Sequence, residues 1–161
     1  MKYRGFLFLL LIIISQHAKG ASVLIKDTEL DFGTVEIPFS GSQTLTVNPQ
    51  DNTYSGLLKV IQAPTRGNYL IGCNPDDTIH VNITGTPLIG KLMITTLKIW
   101  YKGVTYSNFP ANLGVSDGAT ENLYIGGTMT CLNGATEGVD TSTLEVHVEL
   151  TCANTATPPP A

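Results

Sequence analysis

The sequence predicts an all-β protein, an antiparallel β-sandwich of about eight to ten short strands. Three observations carry this. Residues 123–152 hold two arms of period-2 alternation, with Leu123, Ile125, Met129 and Cys131 on one parity of the first arm and Tyr124, Thr128 and Thr130 on the other. Leu144, Val146, Val148 and Leu150 oppose Glu145, His147 and Glu149 in the second. Such alternation marks strands with one face in a core and one in water. Turn signals rich in Gly, Pro, Asn and Asp recur every several residues, and no helical periodicity runs through the chain. A closed barrel is the alternative architecture.

Taken in order, residues 21–38 read as two short strands, or one strand bulged at Gly33, ended by Pro38. As a first strand, residues 21–26 would place Val23 and Ile25 in the core. Residues 43–48 form the next strand, with Leu45 and Val47 inward, and Asn48-Pro49-Gln50-Asp51-Asn52 is a turn. A short apolar run at 56–61 is broken by Ala63-Pro64. Residues 68–73 and 78–84 are strands around the Asn74-Pro75-Asp76-Asp77 turn, with Ile79, Val81 and Ile83 inward. Asp76 and Asp77 belong to that turn, because no spaced set of oxygen ligands follows them.

Residues 91–101 keep no single parity, yet Ile94, Thr95, Thr96 and Ile99 with Trp100-Tyr101 argue for a kinked strand. Lys102-Gly103 is the hairpin point. Residues 108–122 are a long loop or weak strand. The final two arms then close the fold as a hairpin, two strands joined by a turn-rich loop. Gly126-Gly127 inside a strand pattern marks a bulge or a close backbone approach.

Residues 1–20 read as a signal peptide: Lys2 and Arg4, an apolar run over 6–14, then Ala18-Lys19-Gly20. The mature chain is expected to start near Ala21, as one domain over 21–152 without a transmembrane segment. A Pro-rich tail, 153–161, is expected to be disordered. Loss of the leader leaves 6 basic against 13 acidic residues, a net charge of −7. Without a basic cluster, nucleic acid is excluded as a partner.

The three cysteines, Cys73, Cys131 and Cys152, allow one bridge and leave one over. Parity and proximity favour Cys131–Cys152, closing a loop that contributes about 3 kcal/mol. Cys73 lies on an apolar parity with Tyr69 and Ile71, so its pairing to either of the others is the rival. No Cys-x-x-Cys and no histidine at ligand spacing accompanies them, so no metal is expected.

The segments Leu30-Asp31-Phe32-Gly33-Thr34-Val35 and Leu123-Tyr124-Ile125-Gly126-Gly127-Thr128 carry a family resemblance, joined by Gly67-Asn68-Tyr69 leading into residues 78–84. Over residues 27–151 the chain resembles the bacterial secreted DUF4402 family. The resemblance implies an exported Ig-like or pilin-like all-β domain with no assigned activity. Three cysteines and the Pro-rich tail depart from the family pattern.

Three classes of function remain. An enzyme finds little support: no Gly-x-Ser-x-Gly elbow, His-Glu-x-x-His helix or P-loop occurs, and no cofactor is expected. Glu145, His147 and Glu149 stand roughly 7 Å apart on one strand face, as exposed faces of acidic proteins often do. A structural or adhesive surface protein, of fimbrial type, fits better. It would associate with itself or other surface proteins by strand addition, with residues 21–26 as candidate donor. The alternative is a secreted module binding glycan or protein, with Trp100, Tyr101, Tyr106 and Phe109 as a candidate aromatic platform. The expected location is the periplasm, the cell surface or the medium.

Overall fold

Runs of β-branched and aromatic residues, punctuated by Asx, Gly and Pro turns, fold into thirteen strands among the residues described by this computed structural model. It describes residues 22–37, 41–85, 92–132, 138–140 and 145–154. The expected leader and tail segments 1–20 and 155–161 lie outside the described residues. Every strand pairing among the described residues is antiparallel, and none of those residues is helical, so the β-sandwich expectation holds. The count exceeds ten because several strands are three or four residues long, too short for alternation to register.

The largest sheet is built around β11 (Glu121–Cys131). On one side β11 pairs with β6 (Gly67–Gly72), matching Leu123 to Tyr69, and with β3 (Gln43–Val47), matching Met129 to Leu45. On the other it pairs with β8 (Leu92–Tyr101), matching Ile125 to Ile99. β1 (Val23–Thr28) continues this sheet beyond β6, β4 (Tyr54–Gly56) beyond β3, and β9 (Val104–Tyr106) beyond β8. A second sheet places β7 (Asp77–Gly85) between β10 (Ala111–Val115) and β13 (Val146–Asn154). A third places β2 (Thr34–Ile37) between β5 (Lys59–Gln62) and β12 (Gly138–Asp140).

The core is the set of inward parities. Leu45, Val47, Ile71, Ile99, Leu123, Ile125 and Met129 of the large sheet share it with Ile79, Val81, Ile83 and Val148. The Leu30–Val35 motif adds Leu30, Phe32 and Val35. Each such aliphatic side chain contributes roughly 1.5–3 kcal/mol on burial.

The kink expected in residues 91–101 is a bulge in β8. Met129 pairs with Ile94 and Thr128 with Thr96, so Thr95 is the extra residue. Before it the inward residues are Leu92 and Ile94, and after it Leu97, Ile99 and Tyr101, which is why one parity failed to fit. Lys102 and Gly103, both at positive φ (45° and 85°), make the β8–β9 turn as expected. Gly126 and Gly127 mark close approaches. A Cβ on Gly126 would lie 2.3 Å from the Val47 carbonyl oxygen and 2.6 Å from Pro49, and one on Gly127 2.5 Å from the Thr96 carbonyl.

Two expectations need correction. The last two arms are not paired: β11 is central to the large sheet, while β13 pairs with β7 in the other layer. The disulfide is Cys73–Cys152, not Cys131–Cys152. Cys131 does sit inward and is fully buried, but it ends β11 beside Gln43 and Leu92. Cys73 follows β6, whose end lies against the start of β11, roughly 33 Å along that strand from Cys131. Cys152, opposite Ile79 on β7, stands at the Cys73 end, where the chain crosses between sheets through the Asn74–Asp77 turn. Parity gives the face of a sheet but not the end, and the end decides the pairing.

Candidate functional site

The four aromatics expected to form a platform are divided by strand parity. Tyr101 is buried in the core, and Tyr106 and Phe109 pack against it from the inner side. Trp100 has the opposite parity and lies on the outer face of the large sheet, half-buried.

On that outer face its neighbour is Tyr124, directly across from it on β11, with ring centroids 5.6 Å apart and planes tilted by 40°. The Arg66 guanidinium lies over the Tyr124 ring, 3.7 Å from its centroid. Arg66 is held there from three sides. Its Nη1 donates to the carbonyls of Pro49 (2.8 Å) and Gln50 (2.6 Å), and its backbone N–H donates to Asn52 Oδ1 (2.7 Å). The Asn48–Asn52 turn is thereby folded across the sheet, resting Pro49 on Gly126. Next in the row stands Asn68, whose Nδ2 donates to Asp27 Oδ2 and whose Oδ1 is buried with no hydrogen-bond partner among the described residues. Sequence reading placed Tyr124 on the outer parity but missed Arg66, which follows a turn and shows no pattern of its own.

The acidic strand face is where it was expected. His147 and Glu149 are exposed, with His147 Nε2 3.5 Å from Glu149 Oε1. No group of three or more His, Cys, Asp or Glu that could hold a metal occurs among the described residues. His147 instead borders a cleft of about 410 Å³ with Lys26, Glu29, Tyr69 and Glu145, where the β1 edge meets β13. The Glu29 carboxylate pairs with Lys26 and raises the lysine's pKa. Burial raises that of Tyr69.

The sheet edges hold the largest departure from a closed core. β1 pairs only with β6 among the described residues, and it is exposed along nearly its whole length. Ile25 is 54 % exposed and Leu24 39 %, so the expected burial of Val23 and Ile25 does not occur: Val23 is half-buried and Ile25 faces water. The reason is register: Leu24 and Lys26 stand opposite the inward Ile71 and Tyr69, so Val23 and Ile25, opposite Gly72 and Leu70, take the outward parity. At the opposite edge, β9 pairs with Ile99–Tyr101 of β8, and residues 92–98 have no strand partner there among the described residues. Beside this stretch lies a groove of about 320 Å³, lined by Ile83, Gly85, Ile94, Leu97 and Phe109 and rimmed by Thr95, Thr96, Lys98 and Ser107. Among the described residues, no helix is long and apolar enough to cross a membrane.

A family model described as a domain of unknown function, DUF4402, matches residues 23–150. Neither the curated proteins nor the solved structures contain a match to the chain.

Proposed function

Since the chain belongs to the DUF4402 family, whose description assigns no activity, we propose from its own surface that it is an exported, non-enzymatic structural or adhesive subunit. It is of the fimbrial type, associating with copies of itself or other surface proteins through sheet edges. The observation that carries this reading is β1, an edge strand with Leu24 and Ile25 in water. An unpaired apolar edge templates further pairing unless charge, proline or a bulge blunts it, and β1 keeps Lys26, Asp27 and its bulge to its second half, leaving Val23–Ile25 unguarded. Export is supported by the Cys73–Cys152 bridge, which needs an oxidising compartment, and by the leader-like pattern of residues 1–20.

The test is the size of the exported product. Gel filtration and electron microscopy across a concentration series are expected to show oligomers or fibres. A strictly monomeric protein at every concentration overturns the subunit reading. The second reading, a binding module for glycan or protein, rests on the outer-face Trp100–Tyr124 pair backed by Arg66. The chain has a single tryptophan. Acrylamide quenching of its fluorescence, with and without candidate sugars, reads that surface directly.

A further inference from the structure

We infer that the acceptor for β1 is the outer edge of β8 at residues 92–98, which no described strand covers, with its groove, on a second copy of this chain. The inference rests on the subunit reading above and names the partner surface that reading leaves open.

Five observations converge. The two edges lie on opposite sides of β11, because Tyr124 pairs with Asn68 of β6 on one side and Trp100 of β8 on the other. An edge on each side permits a head-to-tail contact that repeats from copy to copy. The directions agree: β1 is antiparallel to β6, β6 to β11 and β11 to β8, so β1 runs antiparallel to β8. A neighbour in the same orientation therefore presents β1 for an antiparallel ladder. The lengths match, six residues in β1 against seven in that stretch of β8.

The side chains match too. β1 is the only described strand with two large exposed apolar residues. Leu24 pairs with Ile71, so it faces the inner side of its sheet. On an added strand that keeps the same facing, Leu24 enters the groove between Ile94, Leu97 and Ile83. Charge completes the fit. The groove's only charged lining residue is the exposed Lys98, on the outer parity, and β1 presents Asp27 on that same face, while its Glu29 is paired with Lys26. In a mature chain of net charge −7, copies repel, and Asp27 finds its local complement at the Lys98 rim. The paired segments are offset along β11, β1 lying level with its first half and residues 92–98 with its second. Each added copy is therefore displaced by roughly 20 Å along the strands, which favours an open filament over a closed ring.

The experiment uses the mature full chain, with circular dichroism and melting temperature recorded for each variant. Leu24→Lys alters an exposed side chain and leaves the fold intact. It is expected to weaken self-association at least tenfold, as is Lys98→Glu on the other edge. A mixture of the two variants is expected to stop at dimers, because it holds one intact donor and one intact acceptor. A fluorescent peptide of residues 22–28 is expected to bind wild type and to bind Lys98→Glu more weakly. Its binding is expected to shift amide resonances in residues 92–98. Oligomers that persist unchanged in both variants, or a peptide that perturbs another edge, overturn this acceptor while leaving the subunit reading standing. A monomeric wild type that ignores the peptide overturns both.

Discussion

Gly126 shows how one residue fixes a local shape. The Val47 carbonyl and Pro49 occupy the space a side chain would need, and backbone cannot step aside as a flexible side chain does. Gly126→Ala is therefore expected to cost about 1–3 kcal/mol in urea unfolding. Gly72→Ala is the control: its nearest neighbour would stand at 3.4 Å, an ordinary contact, and its effect should stay within about 0.5 kcal/mol. Equal costs at both positions would show that the turn is not pressed onto the sheet. Arg66 holds the same turn from the other side. Arg66→Lys keeps the charge but loses the planar fork that serves two carbonyls while stacking on Tyr124. A loss of about 1–2 kcal/mol is expected for it.

Titration acts at this scale as well. Burial raises the pKa of Tyr69 and of Tyr101, and acidic neighbours raise those of Lys26 and Lys102. Above the unfolded values of 10.0 for tyrosine and 10.5 for lysine, the unfolded chain has released protons that the folded chain retains. Stability is therefore full below about pH 10 and declines as pH rises through the folded values. Asp51 and Asp117 carry the opposite sign. Hydrogen bonds from Thr53 lower the first, and those from the Ala119 backbone and Lys102 the second. Their contribution is present above pH 3.8 and fades as pH falls through the folded values. Melting temperature against pH is expected to show a plateau bounded on both sides. A curve that keeps rising beyond pH 10 contradicts the tyrosine and lysine directions.

At the scale of elements, strands with one wet and one dry face were legible, since alternation is the direct record of such a surface. Residues 78–84 and the two arms near the C-terminus read correctly for that reason. Turns read well too, because Asn48–Asn52, Asn74–Asp77 and Lys102-Gly103 carry their own backbone chemistry. What alternation does not encode is the partner. β11 and β13 show matching patterns, yet one is the centre of a sheet and the other an edge of the opposing layer. β1 was misjudged for a related reason: Val23 and Ile25 are apolar, but pairing opposite Gly72 and Leu70 turns them to the outer face and gives Leu24 the inward one. The candidate site was half legible. Trp100 was named, while its outer-face neighbours Tyr124 and Arg66 came together only through register and a long-range turn. Because β1 buries so little, deleting residues 22–28 is expected to leave a folded monomer with the same disulfide, and to abolish assembly. Unfolding on deletion would instead assign β1 a role in holding β6.

The molecule as a whole is closed at one end by the Cys73–Cys152 bridge. The bridge joins the end of β6 in the large sheet to β13 in the second layer, across 79 residues of sequence. The Ser116 hydroxyl donates to the Cys73 carbonyl at 2.9 Å, and the Ser116 and Asp77 backbones bond at 2.8 Å, so the crossing is braced beside the bridge. Closing a loop of this length limits the unfolded chain by about 4 kcal/mol on the chain-entropy account, a large part of a domain's usual stability. Cys73→Ser and Cys152→Ser are each expected to lose about that much, and reduction of the wild type should give the same loss. Cys131→Ala should behave differently. It removes one buried sulfur from the far end of β11, costs about 1–2 kcal/mol through the small cavity, and leaves the bridge in place. Non-reducing peptide mapping separates the cases: the wild type and Cys131→Ala must both yield a peptide linking Cys73 to Cys152. Recovery of a Cys131–Cys152 peptide would mean that β11 ends beside β13, and the division into these sheets would fail with it.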